Sequence, residues 1–130
     1  MQLSFPISSD MWMTSNQRMH WGEKARRTAR VRALGEQIGR SEINRQKLTR
    51  PVFNQCSVTA VISYPTKRRA DPANTSPTLK ALIDGLTNAG YWEDDDSTHV
   101  TAVTYTRGEE TRIKGRYQVT LIITPIYKEQ

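Results

Sequence analysis

The stretch Ser76-Pro77-Thr78-Leu79-Lys80-Ala81-Leu82-Ile83-Asp84-Gly85-Leu86-Thr87-Asn88-Ala89-Gly90 decides the fold. Leu79, Leu82, Ile83 and Leu86 recur at the spacing that lines one face of an α-helix. Ser76 stands where an N-cap would. Pro77 takes a first helical position, where its missing N–H costs nothing, and Gly90 is placed to close the helix in a left-handed conformation. Lys80 and Asp84, four residues apart, share a different face. A helix over 78–89 is therefore expected, and carboxylates bracket it, Asp71 before and Asp94, Asp95 and Asp96 after. At about 1.5 Å of rise per residue, these groups meet only if the flanking loops fold back along the helix or onto a shared sheet edge.

Strand patterns lie on either side of that helix. Val52, Cys56, Val58, Ala60, Ile62 and Tyr64 fall on one parity, and Gln55, Ser57, Thr59 and Ser63 on the other. This period of two marks a strand with one buried face, ended by Pro65. Downstream, 100–106 reads as a strand, 107–115 as a charged hairpin loop, and 116–124 as a final strand with Tyr117, Val119, Leu121 and Ile123 on one face. Upstream, 2–7 forms a short strand, and Met11-Trp12-Met13-Thr14-Ser15-Asn16-Gln17 an ordered loop whose Met and aromatic side chains pack on the core. Residues 20–39 turn helical, with Val31, Leu34 and Ile38 as the stripe and Trp21, Ala25 and Ala29 as a weaker extension. Residues 41–50 are polar, a fraying helix end and a linker stopped by Pro51. Trp21 and Trp92 are expected as core anchors. The fold expected is of the α/β class in its mixed α+β form. It has a small, partly antiparallel sheet of three or four strands and two main helices, in one domain over 1–130.

Nineteen Lys and Arg against thirteen Asp and Glu give a formal charge of +6. Such a field favours a polyanionic partner, nucleic acid first. Many small proteins are basic without one, so clustering matters more than the total. Lys24, Arg26, Arg27, Arg30 and Arg32 crowd the first helix, too many for one face, and Lys67-Arg68-Arg69 stands directly before Asp71. Cys56 is the sole cysteine, which excludes an intramolecular disulfide and a thiolate zinc site and fits a reducing compartment. Residues 1–10 lack the features of a signal peptide and no segment approaches a membrane span. The expectation is a soluble intracellular protein, with no membrane partner.

Hard cations such as magnesium prefer oxygen ligands and keep several waters, so two or three carboxylates plus substrate phosphate oxygens suffice for a site. Asp71, Asp94, Asp95 and Asp96 offer those ligands, and Lys80 could stabilise charge developing on a scissile phosphodiester. An Asp-rich turn alone is more often a solvated loop. The basic triplet beside Asp71 sharpens the case, because compensating cations let a polyanion approach a carboxylate site. His99 follows the acidic loop closely, though capping or packing is the commoner role for such a histidine. Arg107, Arg112, Lys114 and Arg116, interleaved with Glu109 and Glu110, suit either a DNA arm or plain solvent.

The order of a basic run, Asp71, Asn74, Lys80, Asp84, Gly85-Leu86-Thr87 and Ala89-Gly90-Tyr91-Trp92-Glu93-Asp94-Asp95 resembles the RusA family of Holliday-junction resolvases. The likeness covers 67–100 and extends more loosely to Ser15-Asn16-Gln17-Arg18. It implies a homodimer of mixed α/β fold that uses magnesium, or manganese in its place, to cut four-way DNA junctions with paired nicks. Two metal-binding acidic positions of the family match Asp71 and Asp95, and a catalytic lysine matches Lys80. The family pattern carries a second aspartate two residues after the first. This chain has Ala73 there, followed by a three-residue insertion near 75–77, which leaves the third ligand open among Asn74, Asp94 and Asp84. The resulting expectation is a metal set of Asp71, Asn74, Asp94 and Asp95, catalytic roles for Asp71, Lys80 and Asp95, and DNA contacts from Arg26, Arg27, Arg30, Lys67, Arg68 and Arg69. A non-catalytic protein that binds branched DNA through a degenerate site is the rival, which the Ala73 departure permits.

Overall fold

Alternation builds the sheet. In the computed structural model, which describes residues 1–127, strand β2 (Cys56–Ser63) buries Cys56, Val58, Ala60 and Ile62 and turns Ser57, Thr59, Val61 and Ser63 the other way. Strands β1 (Gln2–Ser8) and β4 (Arg116–Pro125) do the same with Leu3, Phe5 and Ile7 and with Val119, Leu121 and Ile123. With β3 (Val100–Arg107) they form one four-stranded sheet in the order β1-β4-β2-β3. β4 runs antiparallel to both β1 and β2, and β2 runs parallel to β3. A parallel pair needs a long crossover connection, and the helix α2 (Ser76–Ala89) supplies it. The first helix, α1 (Trp21–Gln46), connects β1 to β2. The architecture is the expected mixed α+β fold with two main helices on one face of the sheet.

Three local expectations are corrected. Residues 107–115 are not a hairpin loop, because β3 and β4 border β2 on opposite sides. The segment instead crosses the end of β2, held where Gly108 N donates to Ile62 O (2.9 Å) and Thr111 N to Tyr64 O (2.9 Å). Residues 41–46 are helical rather than frayed: Ile43 is buried, and exposed pairs such as Arg40–Glu36 and Arg45–Glu42 carry the polar side. Lys47, in the left-handed region at φ 56°, ends the helix. Ser76 is the first helical residue and not the cap. Asp71 Oδ1 instead caps the preceding 3₁₀ turn (Pro72–Thr75) by accepting from Ala73 N at 3.1 Å, and that turn runs straight into α2.

The two helices cross at backbone contact. The buried stripe of α1 is Val31, Gly35, Gly39 and Ile43, with Leu34 and Ile38 only half-buried at its flank. A Cβ added to Gly35 would lie 2.8 Å from Leu82 O, and one added to Gly85 would meet the Arg32 carbonyl and lie 2.7 Å from Glu36 N. Packed against α1, α2 is buried on several sides, including Thr78, Ala81, Gly85 and Ala89 as well as the four expected apolar residues. Gly90, at φ 97°, ends it as expected. Tyr91 then closes the helix pair, its hydroxyl donating to Gly39 O at 2.9 Å. Among the described residues no helix is long and apolar enough to cross a membrane.

Two ionisable groups are sealed in this core. Burial pushes the Cys56 thiol from 9.0 up to about 11 and the Tyr91 phenol from 10.0 up to about 12. A group whose folded pKa lies above its unfolded value stabilises the fold fully below the unfolded value and loses that contribution as pH rises through the folded one. Stability is therefore expected to decline across pH 9 to 12, seen as a falling urea midpoint in a pH series. A midpoint flat to pH 12 would show that these groups ionise freely.

Candidate active site

The surface of α2 and the loop after it assemble one charged cluster. Lys80, in the second turn, is largely exposed. Its Nζ lies 3.0 Å from Asp84 Oδ1 and 3.1 Å from Asp95 Oδ2. Helical spacing places Asp84 one turn on. Asp95 arrives because Tyr91 and Trp92 are both buried, with Trp92 Nε1 donating to Thr87 Oγ1 at 2.7 Å, so the chain leaves the core turned back along the helix. The loop after α2 thus folds back along the helix, and it brings Asp95 to Lys80 and Asp84.

The acidic run divides its labour. Asp94 Oδ1 accepts from the Asp95 amide at 2.7 Å and shapes the turn. Asp96 Oδ1 accepts from Thr98 N (3.1 Å) and His99 N (3.3 Å) and sits 2.8 Å from His99 Nδ1, so His99 secures the loop rather than the cluster. The hydrogen bond to Asp84, then that to Asp95, raises the pKa of Lys80. Lys80 in turn is the largest cause of the lowered pKa of Asp95. At neutral pH the cluster is one ammonium between two carboxylates. Lys80 is thus a fixed cation, unsuited to act as a base. Lys80 and Asp95 rim a hollow of about 350 Å³ between α2 and β3, floored by Leu79, Ile83, Val103 and Tyr105.

Asp71 and Asn74 lie outside this cluster. The Asp71 carboxylate is turned to the Ala73 amide, while Asn74 O accepts from Ser15 N (2.7 Å) and Asn74 Oδ1 from Ser15 Oγ (3.3 Å). Among the described residues no group of three or more His, Cys, Asp or Glu is placed to hold a metal ion. The expected set of Asp71, Asn74, Asp94 and Asp95 is therefore not gathered at one point. Asp84 and Asp95, hard oxygen donors that already share one cation, suit magnesium's habit of using one or two carboxylates and several waters. No protein-family model matches the chain, and no curated protein matches it.

The expected DNA-contacting cations fall into two groups. On α1, Arg26 and Arg27 both pair with Glu23 (2.7 and 2.8 Å), and Arg30 approaches Asp10 at 3.7 Å. These pairs hold the Glu23 carboxyl down at about 2, Arg26 being the larger cause. Arg27 also donates to the carbonyls of Ser9 (3.2 Å) and Trp12 (2.8 Å), which makes it a brace for the loop after β1. Lys67, Arg68 and Arg69 are exposed and have no carboxylate partner among the described residues. Arg68 and Arg69 rim a hollow of about 310 Å³ that also touches Tyr64 and Tyr117. Arg107 is turned inward, 4.9 Å over the Tyr64 ring and donating to Thr66 O at 3.0 Å, so it supports the basic loop from beneath.

Two features escaped the sequence assignment of roles. Asp84 was one of three alternatives for the open ligand, and its i, i+4 spacing to Lys80 is the signal from which their contact could be read. Trp21 was expected in the core and is instead 78% exposed, whereas Trp92 is buried as expected.

Proposed function

We propose that the chain is a divalent-cation-dependent endodeoxyribonuclease of the RusA type that resolves four-way and other branched DNA. The observation that carries this reading is the convergence of Lys80, Asp84 and Asp95 on one exposed point beside an open hollow. Asp84 and Asp95 would hold magnesium, or manganese, with Asp71 assigned to the metal by the resemblance alone. When bound, the cation supplies an activated water and offsets charge on the phosphate. Lys80, kept protonated by its two carboxylates, donates to a phosphate oxygen as negative charge builds in the transition state. Lys67, Arg68 and Arg69 draw the phosphate backbone toward Asp71 and the first turn of α2.

The test is incubation of the chain with a synthetic four-way junction and a linear duplex of equal length, with and without magnesium. Junction cleavage that requires the cation supports the reading. Equal cutting of the duplex reduces it to a general nuclease. Tight junction binding without cleavage establishes the rival, a branched-DNA-binding protein, which the neutralising Lys80 and the separate Asp71 favour.

The working unit proposed is a homodimer, since two cuts related by the junction's two-fold symmetry call for two sites related in the same way. The sheet offers a face for it. Opposite the helices, positions such as Ser4, Thr59, Thr104, Thr120 and Ile122 present a surface without charge except for Arg116 at one end. In a chain of net charge +6, that is where two copies meet with least repulsion. Thr120→Lys, which places a cation near the centre of the face, is expected to turn the dimer into a monomer in analytical ultracentrifugation. A wild-type chain that is monomeric at tens of micromolar would end the dimer reading.

A further inference from the structure

We infer that Trp21 is a stacking platform for an unpaired or terminal base at the branch point. This inference rests on the nucleic-acid reading and specifies how a branched strand would be told from an intact duplex. The three tryptophans differ sharply in exposure, Trp12 at 4%, Trp92 at 1% and Trp21 at 78%. A tryptophan ordinarily buries 150 Å² or more of apolar surface, so leaving one in water forgoes a large contribution to the fold. The cause is geometric. Trp21 is the first residue of α1, ten residues and so about 15 Å along the axis before Val31, the first buried residue of the helix, which puts it beyond the crossing with α2. Packing against α2 cannot cover it.

Its surroundings indicate what does. The His20 ring lies beside the indole, centroids 5.5 Å apart at 32°, and His20 is fixed there because its Nδ1 accepts from Gly22 N at 3.1 Å. Arg18 and Lys24 flank the indole along the chain, both exposed and neither paired with a carboxylate among the described residues. An aromatic surface with unpaired cations close to it in the chain suits a ligand that combines flat, uncharged rings with negative charge, which is the chemistry of a nucleic acid strand.

The loop leading to Trp21 is also fixed to the start of α2, the helix that carries Lys80 and Asp84. Met13 N donates to Thr78 Oγ1 (3.0 Å) and Thr78 Oγ1 donates back to Met13 O (2.8 Å). Ser15 makes its two bonds to Asn74. These contacts join the loop to the segment between Asp71 and the first turn of α2. Within a duplex every base face is covered by its neighbours, whereas a branch point or a strand end exposes one. Trp21 therefore adds affinity for branched or frayed DNA and little for continuous duplex.

The experiment uses the full chain, with Trp21→Ala and Trp21→Phe, a labelled four-way junction and a labelled covalently closed circular duplex, which has no strand ends. Binding is read by anisotropy, and the environment of Trp21 by its emission, the only tryptophan fluorescence here that acrylamide should reach. Junction binding is expected to quench this exposed emission. Trp21→Ala should weaken junction affinity roughly tenfold, within the range for one base–aromatic stack, and leave duplex affinity unchanged. Trp21→Phe should recover most of the loss, and cleavage per bound junction should be the same in all three proteins. Junction binding at undiminished affinity in Trp21→Ala, or without quenching in the wild type, overturns the stacking role and leaves the nuclease reading standing. Failure of the wild-type chain to bind either DNA overturns both.

Discussion

Lys80→Ala should slow magnesium-dependent junction cleavage by roughly 10²- to 10³-fold, the usual effect of removing one group that stabilises transition-state charge. Junction affinity should change little, because one cation is a small part of a salt-dependent basic surface. Unfolding cannot account for the loss. The ion pairs of Lys80 with Asp84 and Asp95 lie at the surface, and such pairs contribute only about 0–1 kcal/mol each. The variant should also bind magnesium more tightly, since the ammonium no longer occupies the point on which both carboxylates converge. Cleavage and cation affinity would thus move in opposite directions, which no general loss of structure produces. Asp95→Asn removes a charge from the same point and should abolish cleavage with binding retained. If Lys80→Ala cuts at the wild-type rate, the cluster is an ordinary surface ion pair.

What the sequence showed depends on which physical rule each element obeys. Strands β1, β2 and β4 were legible because each has one buried face, and alternation records that directly. Helix α2 was legible from its apolar spacing and the glycine at its end. The true packing stripe of α1 was hidden because two of its four members, Gly35 and Gly39, have no side chain to register as apolar, and Leu34 and Ile38 beside them drew the stripe to the wrong line. The path of 107–115 was hidden for another reason. A polar connection has the same composition whether it joins neighbouring strands or crosses over one, and only β2's place between β3 and β4 decides between them. At the site, Lys80, Asp84 and Asp95 were all named, and helix spacing alone foretold the first contact. The second contact depends on Tyr91 and Trp92 anchoring the chain so that it turns back, a tertiary fact that the acidic run does not contain. Trp21 was misplaced because hydrophobicity predicts burial only where a core face is within reach.

Gly85→Ala sets two rules against each other. Intrinsic propensity favours alanine over glycine inside a helix by about 1 kcal/mol, so on that ground alone the variant gains stability. Packing opposes it. The new methyl group would meet the Arg32 carbonyl and lie 2.7 Å from Glu36 N, and neither is a flexible side chain that can step aside. The helices must separate, which loosens Val31 and Ile43 of α1 against Leu82 and Leu86 of α2 together. Overpacking of this kind costs about 1–3 kcal/mol where side chains give way and more where backbone must move, so a net loss of roughly 2–4 kcal/mol is expected. For a domain of this size that lowers the melting temperature by on the order of 10 °C. Asn88→Ala, on the exposed side of the same helix, is the control: it makes the favourable change in propensity without the contact and should leave the melting temperature level or slightly higher. A Gly85→Ala protein that melts above the wild type would mean that the two helices do not touch at backbone distance. The Gly85-Leu86-Thr87 segment would then owe nothing to the crossing of α1 and α2.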